Sequence, residues 1–328
     1  MIKNKLELGS EYDLNINSLK VKKNNIYEYL KNYNCYFFNS ARNAIKAIPI
    51  RKGKVLLPEY ICDSVIKCFD LEDIIFYKIN KDFEIDVDDI LNKIDSVKTV
   101  FIMHYFGKLQ NKKTLKTIKK VSEEKDITII EDTTHSLLSS KSEIGDYMIT
   151  SIRKWLPIPN GGILYTKKSI KNYRKYKQNT NDEKVYPLIL KHLYLNNKLD
   201  KKIYRDMFIK CEEEIDNNLQ ILKMSDLCKY MLGCFDLKEI KKIRVDNFQY
   251  LKSKLKYNPI IDIEKDECPF VYEIRIDNRD KFRKYLIQNN VYCAIHWPNC
   301  SKDELSIPID NRYQKLELDY LIDIINKY

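Results

Sequence analysis

Nowhere in the 328 residues does an uncharged apolar run approach the ~18 residues that a bilayer-spanning helix needs, so an integral membrane protein is not expected. The N-terminus, MIKNKLELGSEYDLNINSLKVKKNN, is too broken by charge for a secretory signal, which requires a continuous apolar stretch behind its basic residues. The nine cysteines are odd in number and include no Cys-x-x-Cys pair. That argues against a disulfide scaffold, a zinc ribbon or another metal centre, and for reduced structural thiols in a cytoplasm. There is no internal repeat and no low-complexity linker. Glycine is scarce at seven residues while Asn, Ile and Tyr are abundant, the pattern of AT-rich coding sequence.

What is present is charge. Lysine and arginine number 58 against 47 acids, a formal balance of +11. A nucleic-acid footprint would concentrate that excess on one element. Here Lys22-Lys23, Lys112-Lys113, Lys119-Lys120 and Lys241-Lys242 are scattered and interleaved with acids. The excess therefore reads as solvated surface, with neither nucleic acid nor membrane as partner.

Short, nearly continuous apolar runs alternate with helical patterns. Strands are expected at 54–58, 74–77, 99–105, 127–130, 147–150 and 161–166, with helices at 41–48, 60–69, 113–123 and 167–177. Runs of that kind mark a buried, mostly parallel sheet with helices on both faces. The strand signal fades from Asn179 to about Leu255, and a smaller α/β pattern follows: strand 271–276, helix 280–288, strand 291–295 and a terminal helix 316–327. The expected organisation is a large α/β domain over 1–178, a helical connector over 179–255 and a small α/β domain over 256–328.

Open α/β sheets bind ligands at the carboxyl ends of their strands. Tyr60, His104, Asp132 and the run Ser151-Ile152-Arg153-Lys154 each follow a strand, and Ser40-Ala41-Arg42 opens a helix whose free N–H groups suit a phosphate. Singly, each has a plain structural explanation: a solvated lysine, a helix cap, a packed tyrosine. Together they fit pyridoxal 5′-phosphate. A lysine can form a Schiff base with the aldehyde, a carboxylate can hold the pyridine nitrogen protonated, hydroxyls at a helix start can take the phosphate, and an aromatic can stack on the ring.

The order and wording of these motifs resemble the DegT/StrS-like sugar aminotransferases, which are fold-type I enzymes dependent on pyridoxal phosphate. The resemblance runs from about Glu7 to the C-terminus. Phe38-Asn39-Ser40-Ala41-Arg42-Asn43-Ala44 is similar to the family's phosphate-binding turn, and Leu57-Pro58-Glu59-Tyr60 to the segment carrying the stacking aromatic. Ile130-Glu131-Asp132-Thr133-Thr134-His135-Ser136 is the most specific match; it implies Asp132 at the pyridinium and His135 near the cofactor hydroxyl. Lys154, shortly before Gly161-Gly162, falls in the Schiff-base place, and Ser151 three residues upstream implies a phosphate contact. Asn290 to Pro298 and Leu305 to Asp310 resemble the small domain's closing motifs.

Two departures bear on substrate. The stretch between Ser151 and Gly161 is about two residues shorter than the usual loop, and the family's Asn-x-Arg-Met segment stands here as Ile221-Leu222-Lys223-Met224. The resemblance implies an aminotransferase that moves an amino group, with glutamate the usual donor, to a keto sugar carried on a nucleotide for surface polysaccharide, and that works as a homodimer. Arg153, Lys223 and His296 are candidate substrate contacts. The alternatives are an enzyme of the same fold and cofactor acting on a small phosphorylated or amino-acid substrate, or a catalytically silent regulator.

Overall fold

The computed structural model describes residues 5–139 and 144–328, so the range 1–178 is described without its first four residues and without 140–143. In chain order the strands are β1 (Leu8–Gly9), β2 (Asn34–Phe38), β3 (Val55–Pro58), β4 (Ile74–Tyr77), β5 (Thr99–Met103), β6 (Thr128–Asp132), β7 (Tyr147–Thr150), β8 (Gly162–Thr166), β9 (Lys177–Gln178), β10 (Leu222–Lys223), β11 (Tyr272–Arg275), β12 (Val291–Tyr292) and β13 (Glu304–Ile307). Nine form one sheet in the order β4-β3-β5-β6-β7-β8-β2-β10-β9. Pairing is parallel from β4 to β7, antiparallel through β8, β2 and β10, and parallel again at β9. The sheet is mostly parallel, as expected.

Strand β5 shows why its sequence is apolar throughout. Val100 and Ile102 pack with Leu115 and Ile118 of the helix Lys112–Glu124, whereas Phe101 and Met103 pack with Ala44 and Ile45 of the helix Ala41–Lys46. Alternate side chains point to opposite faces, and a helix covers each face, so neither face can carry polar residues.

Three local expectations are corrected. The stretch 167–177 is not a helix but a 3₁₀ turn over Lys171–Lys175 followed by β9. Ile170, Tyr173 and Tyr176 recur every third residue and pack on the cluster around Phe38, a spacing that matches three residues per turn. The helix expected over 60–69 contracts to Asp63–Ile66, because the Glu59 N–H still donates to the Tyr77 carbonyl at 2.8 Å, the chain then bends at 59–60, and Cys62 before the helix is extended. Strand β2 was not anticipated; it lies inside the sheet, paired with β8 over its whole length.

The stretch 179–255 is helical over Val185–Leu195, Lys201–Asn217, Asp226–Leu232 and Leu237–Lys254, and it also supplies β10 to the large sheet. Beyond it, antiparallel β11 and β13 and the helices Arg279–Gln288 and Lys315–Lys327 enclose a separate core that includes Tyr272, Phe282, Leu305 and Leu321. The N-terminal β1 pairs with β12, so Leu8 is buried in this C-terminal core.

Candidate active site

The carboxyl ends of β3, β5, β6 and β7 open onto one cavity of about 170 Å³. Ser40, Ala41, Arg42, Asp132, His135, Ser151, Arg153 and Lys154 all line it. The chain therefore gathers at one place residues that are up to 114 positions apart in sequence (154 − 40).

Each is set by its element. Asp132 ends β6, buried, and one of its carboxylate oxygens accepts the Thr134 N–H at 2.8 Å. Burial pushes its carboxyl up, while the Thr134 bonds and the Lys154 ammonium pull it down. Lys154 closes a 3₁₀ turn after β7, with its Nζ 5.8 Å from the Trp297 ring centre and 6.0 Å from that of Phe270. Burial lowers its pKa; Cys62 and Asp132 oppose that, and Arg153 adds to it. Ser40 caps the helix Ala41–Lys46 by accepting the Asn43 N–H at 3.2 Å. Gly162 makes this possible. A Cβ there would come within 2.2 Å of the Ser40 carbonyl, so only glycine lets the helix start press against β8. Arg42 is held by Asp216 at 2.6 Å, and Asp216 lines the same cavity.

His135 is fully buried, yet neither ring nitrogen has a hydrogen-bond partner among the described residues. Its ring stacks on Phe270 at 4.3 Å and on Trp297 at 5.3 Å, and burial drives its pKa well below the ordinary histidine value. Phe270 reaches this place because Gly107, at a φ of 109°, lets the 268–270 segment cross the end of β5; a Cβ on Gly107 would lie 2.2 Å from the Cys268 carbonyl oxygen.

Other expected residues fall elsewhere. Tyr60 does not line the cavity. Its ring packs against Phe83, Tyr105 and Trp297, and its hydroxyl donates to the His296 carbonyl. Cys62 and Trp297 line the cavity in its place. A signal for the latter was available, since Trp297 is one of only two tryptophans in the chain. His104 is structural: Nδ1 accepts the Gln110 N–H at 3.0 Å, so Nε2 donates to Glu131 at 2.9 Å. Lys223 lies in β10 with its Nζ 5.8 Å from the Tyr173 ring centre, away from the cavity.

A second, larger cavity of about 350 Å³ lies on the other side of Lys154, between the large sheet and the C-terminal unit, and Ser151, Arg153, Lys154 and His296 line it. Of its cations, Arg153 and Lys154 are residues the sequence nominates, whereas Lys184 falls within the charge read there as solvated surface. Arg153 donates to both oxygens of Glu212, at 2.8 and 3.2 Å, and Lys184 pairs with the same carboxylate. Burial and Arg153 lower Lys184 to about 8. Glu212, despite its burial, is held down to about 2 by Arg153 and Lys184. Two cations thus share one carboxylate, and the Arg153 Nε is buried without a partner among the described residues.

This architecture is the fold of the fold-type I aminotransferases. A DegT DnrJ EryC1 StrS aminotransferase from Brucella abortus superimposes with a TM-score of 0.66 at 15% identity, covering 92% of this chain and 87% of that one. NtdA from Bacillus subtilis, solved with bound cofactor PMP, gives 0.64 at 14% identity over 92% and 74%. The sugar aminotransferase CalS13 from Micromonospora echinospora gives 0.60 at 12% over 89% and 87%. No protein-family model and no curated protein matches the chain.

Proposed function

We propose that this chain is a pyridoxal-phosphate-dependent aminotransferase that moves an amino group from an acidic donor such as glutamate to a keto sugar, nucleotide-linked and destined for surface polysaccharide. The observation that carries the reading is the meeting of Lys154, Asp132 and His135 in one cavity, with both nitrogens of a fully buried histidine unpartnered among the described residues. Buried polar groups without partners are costly, so a site built with two of them is built for a ligand that bonds there. The residues fit the cofactor: Lys154 for its aldehyde, Asp132 for its ring nitrogen, His135 for its ring hydroxyl, and Ser40, Ala41, Arg42 and Ser151 for its phosphate. The known structures with this fold include a sugar aminotransferase and a protein holding PMP, which supports the same assignment.

When bound, the cofactor supplies an electrophilic carbon for an amine and a ring that withdraws electrons from the adjacent carbon. The chain does the rest. Lys154, its proton affinity lowered by burial, can hold the cofactor and, once released, carry a proton. Asp132 supplies a carboxylate, which a cationic ring nitrogen would keep ionised against the upward push of burial. Phe270 and Trp297 set apolar ring faces near the Lys154 ammonium. Arg153 and Lys184, with one carboxylate between them, offer a surplus positive charge to an anionic substrate group.

That last feature also favours a second reading, the same chemistry on a small phosphorylated or amino-acid substrate, since the cation pair sits within a single chain. Spectroscopy tests the first step. The protein should take up pyridoxal phosphate and turn yellow, borohydride should bleach it with covalent fixation at Lys154, and glutamate should shift the band. A colourless protein that binds no cofactor would overturn the proposal; an unchanged spectrum in Lys154→Ala would overturn the lysine assignment. Amination of keto-sugar nucleotides against small phosphorylated ketones then separates the two readings.

A further inference from the structure

Across the 350 Å³ cavity from the large sheet, three polar residues form a buried line. Glu273 in β11 and Ser306 in β13 are directly opposite in the antiparallel register, so their side chains share a face. The Ser306 N–H donates to the Ala294 carbonyl at 3.0 Å, which brings His296, two residues on, beside the same serine. The His296 Nδ1 lies 2.7 Å from the Ser306 Oγ, and Ser306 is hydrogen-bonded to the Glu273 Oε2. The other Glu273 oxygen is buried without a partner among the described residues. With Nδ1 turned to Ser306, Nε2 is the remaining polar atom of a ring that lines the cavity together with Lys154.

We propose that Glu273, Ser306 and His296 are a proton relay that sets whether His296 presents an acceptor or a donor to the substrate cavity. The serine hydroxyl has one proton, and that fixes the logic. When Glu273 is ionised, Ser306 donates to it and accepts from Nδ1–H, leaving Nε2 as an acceptor. When Glu273 is protonated, it donates to Ser306, Ser306 donates to Nδ1, and Nε2 carries the hydrogen. A proton taken up at Nε2 therefore passes Nδ1–H to Ser306 and the Ser306 hydrogen to Glu273. One proton leaves the cavity, one arrives at Glu273, and the imidazole stays neutral throughout. Neutrality matters here, because burial and the Lys154 charge drive His296 well below its ordinary pKa and disfavour an imidazolium.

The surroundings place the switch near neutral pH. Burial pushes Glu273 up to about 8; Ser306 and Arg275 oppose this and Glu304 adds to it. Tyr60 and Cys293 also face the carboxyl, both with pKa values raised by burial and both neutral in this range. His296 itself faces Lys154 and His135, whose ring centre is 5.0 Å away. In the proposed transamination, on which this role rests, the relay would accept the proton that a substrate ammonium must lose before its nitrogen can react.

The relay is testable without cofactor. The chain has only four histidines, so long-range proton–nitrogen spectra of 15N-histidine-labelled protein can follow His296, assigned with His296→Gln. From pH 6 to 10 the His296 hydrogen should move from Nε2 to Nδ1 with a midpoint near 8, and the change should vanish in Glu273→Gln and in Ser306→Ala. His192, bonded to Asp13 away from the relay, reports folding in the same spectra, and if one variant fails to fold the other decides. A single tautomer across the range, or a switch that survives in a folded variant, would overturn the relay. A switch in a protein that binds no pyridoxal phosphate would instead leave the relay standing and remove the aminotransferase reading. In the loaded enzyme, kcat/KM should carry a limb near pH 8 that Glu273→Gln removes.

Discussion

At the residue scale, the cavity separates groups by the partners they have. Among the described residues His104 has both nitrogens bonded, whereas His135 has neither, although both are fully buried and follow adjacent strands. The first is a strut; the second is the residue that the proposed function gives to a ligand. Replacing His135 with phenylalanine, which keeps the stacking on Phe270 and Trp297, should weaken pyridoxal phosphate by about tenfold, the worth of roughly one hydrogen bond, while His135→Gln should retain most of the affinity. Cofactor titration by absorbance measures both. Sequence could nominate Asp132 and Lys154 because each follows an apolar strand, and His135 through the motif that resembles the family's, but it could not tell Tyr60 from Cys62. The chain bends at 59–60, so strand alternation does not say where either side chain points, and tertiary packing turned Tyr60 toward Phe83 and Tyr105.

At the scale of elements, the parallel strands were legible because a strand covered on both faces must be apolar throughout. The run 167–177 was misread because charge at helical spacing looks alike in a helix and in a turn whose every third residue is anchored. Strand β2 escaped because its partner, β8, begins more than 120 residues later (162 − 38 = 124), and nothing local announces that pairing. Yet β2 delivers Ser40 to Gly162. Gly162→Ala would drive a Cβ into the Ser40 carbonyl, which is backbone and cannot swing aside. We expect a loss of about 1–3 kcal/mol in urea unfolding, as for other overpacked sites, together with weaker cofactor binding.

At the scale of the whole molecule, the C-terminal unit is tied to the N-terminus through β1 and through Asp310 and Arg312. Although burial raises it, the Arg312 guanidinium holds the Asp310 carboxyl down to about 2, with bonds of 2.6 and 2.9 Å to its two oxygens. A carboxyl held below its unfolded value stabilises the fold above about pH 4, and that contribution is lost as the pH falls toward 2. Its size is about 2 kcal/mol. Urea unfolding measured between pH 5 and 2 should show that loss, and Asp310→Asn should lack it. A homodimer is expected from the family resemblance, and sizing should give twice the 39.3 kDa chain mass; an active monomer would overturn it.

The amino-acid sequence by itself determined the α/β class, the sheet's apolar strands and the order of the chemical groups along the chain, because periodicity and strand-end position are local properties. It also disposed of the +11 balance, whose lysines are dispersed. Only the tertiary structure decided which charged groups meet. Arg153 and Lys184 converge on Glu212 from separate elements, and Glu273, Ser306 and His296 become neighbours through strand register. Those juxtapositions depend on distances between segments far apart in the chain, and burial then changes what the same side chains do with their protons.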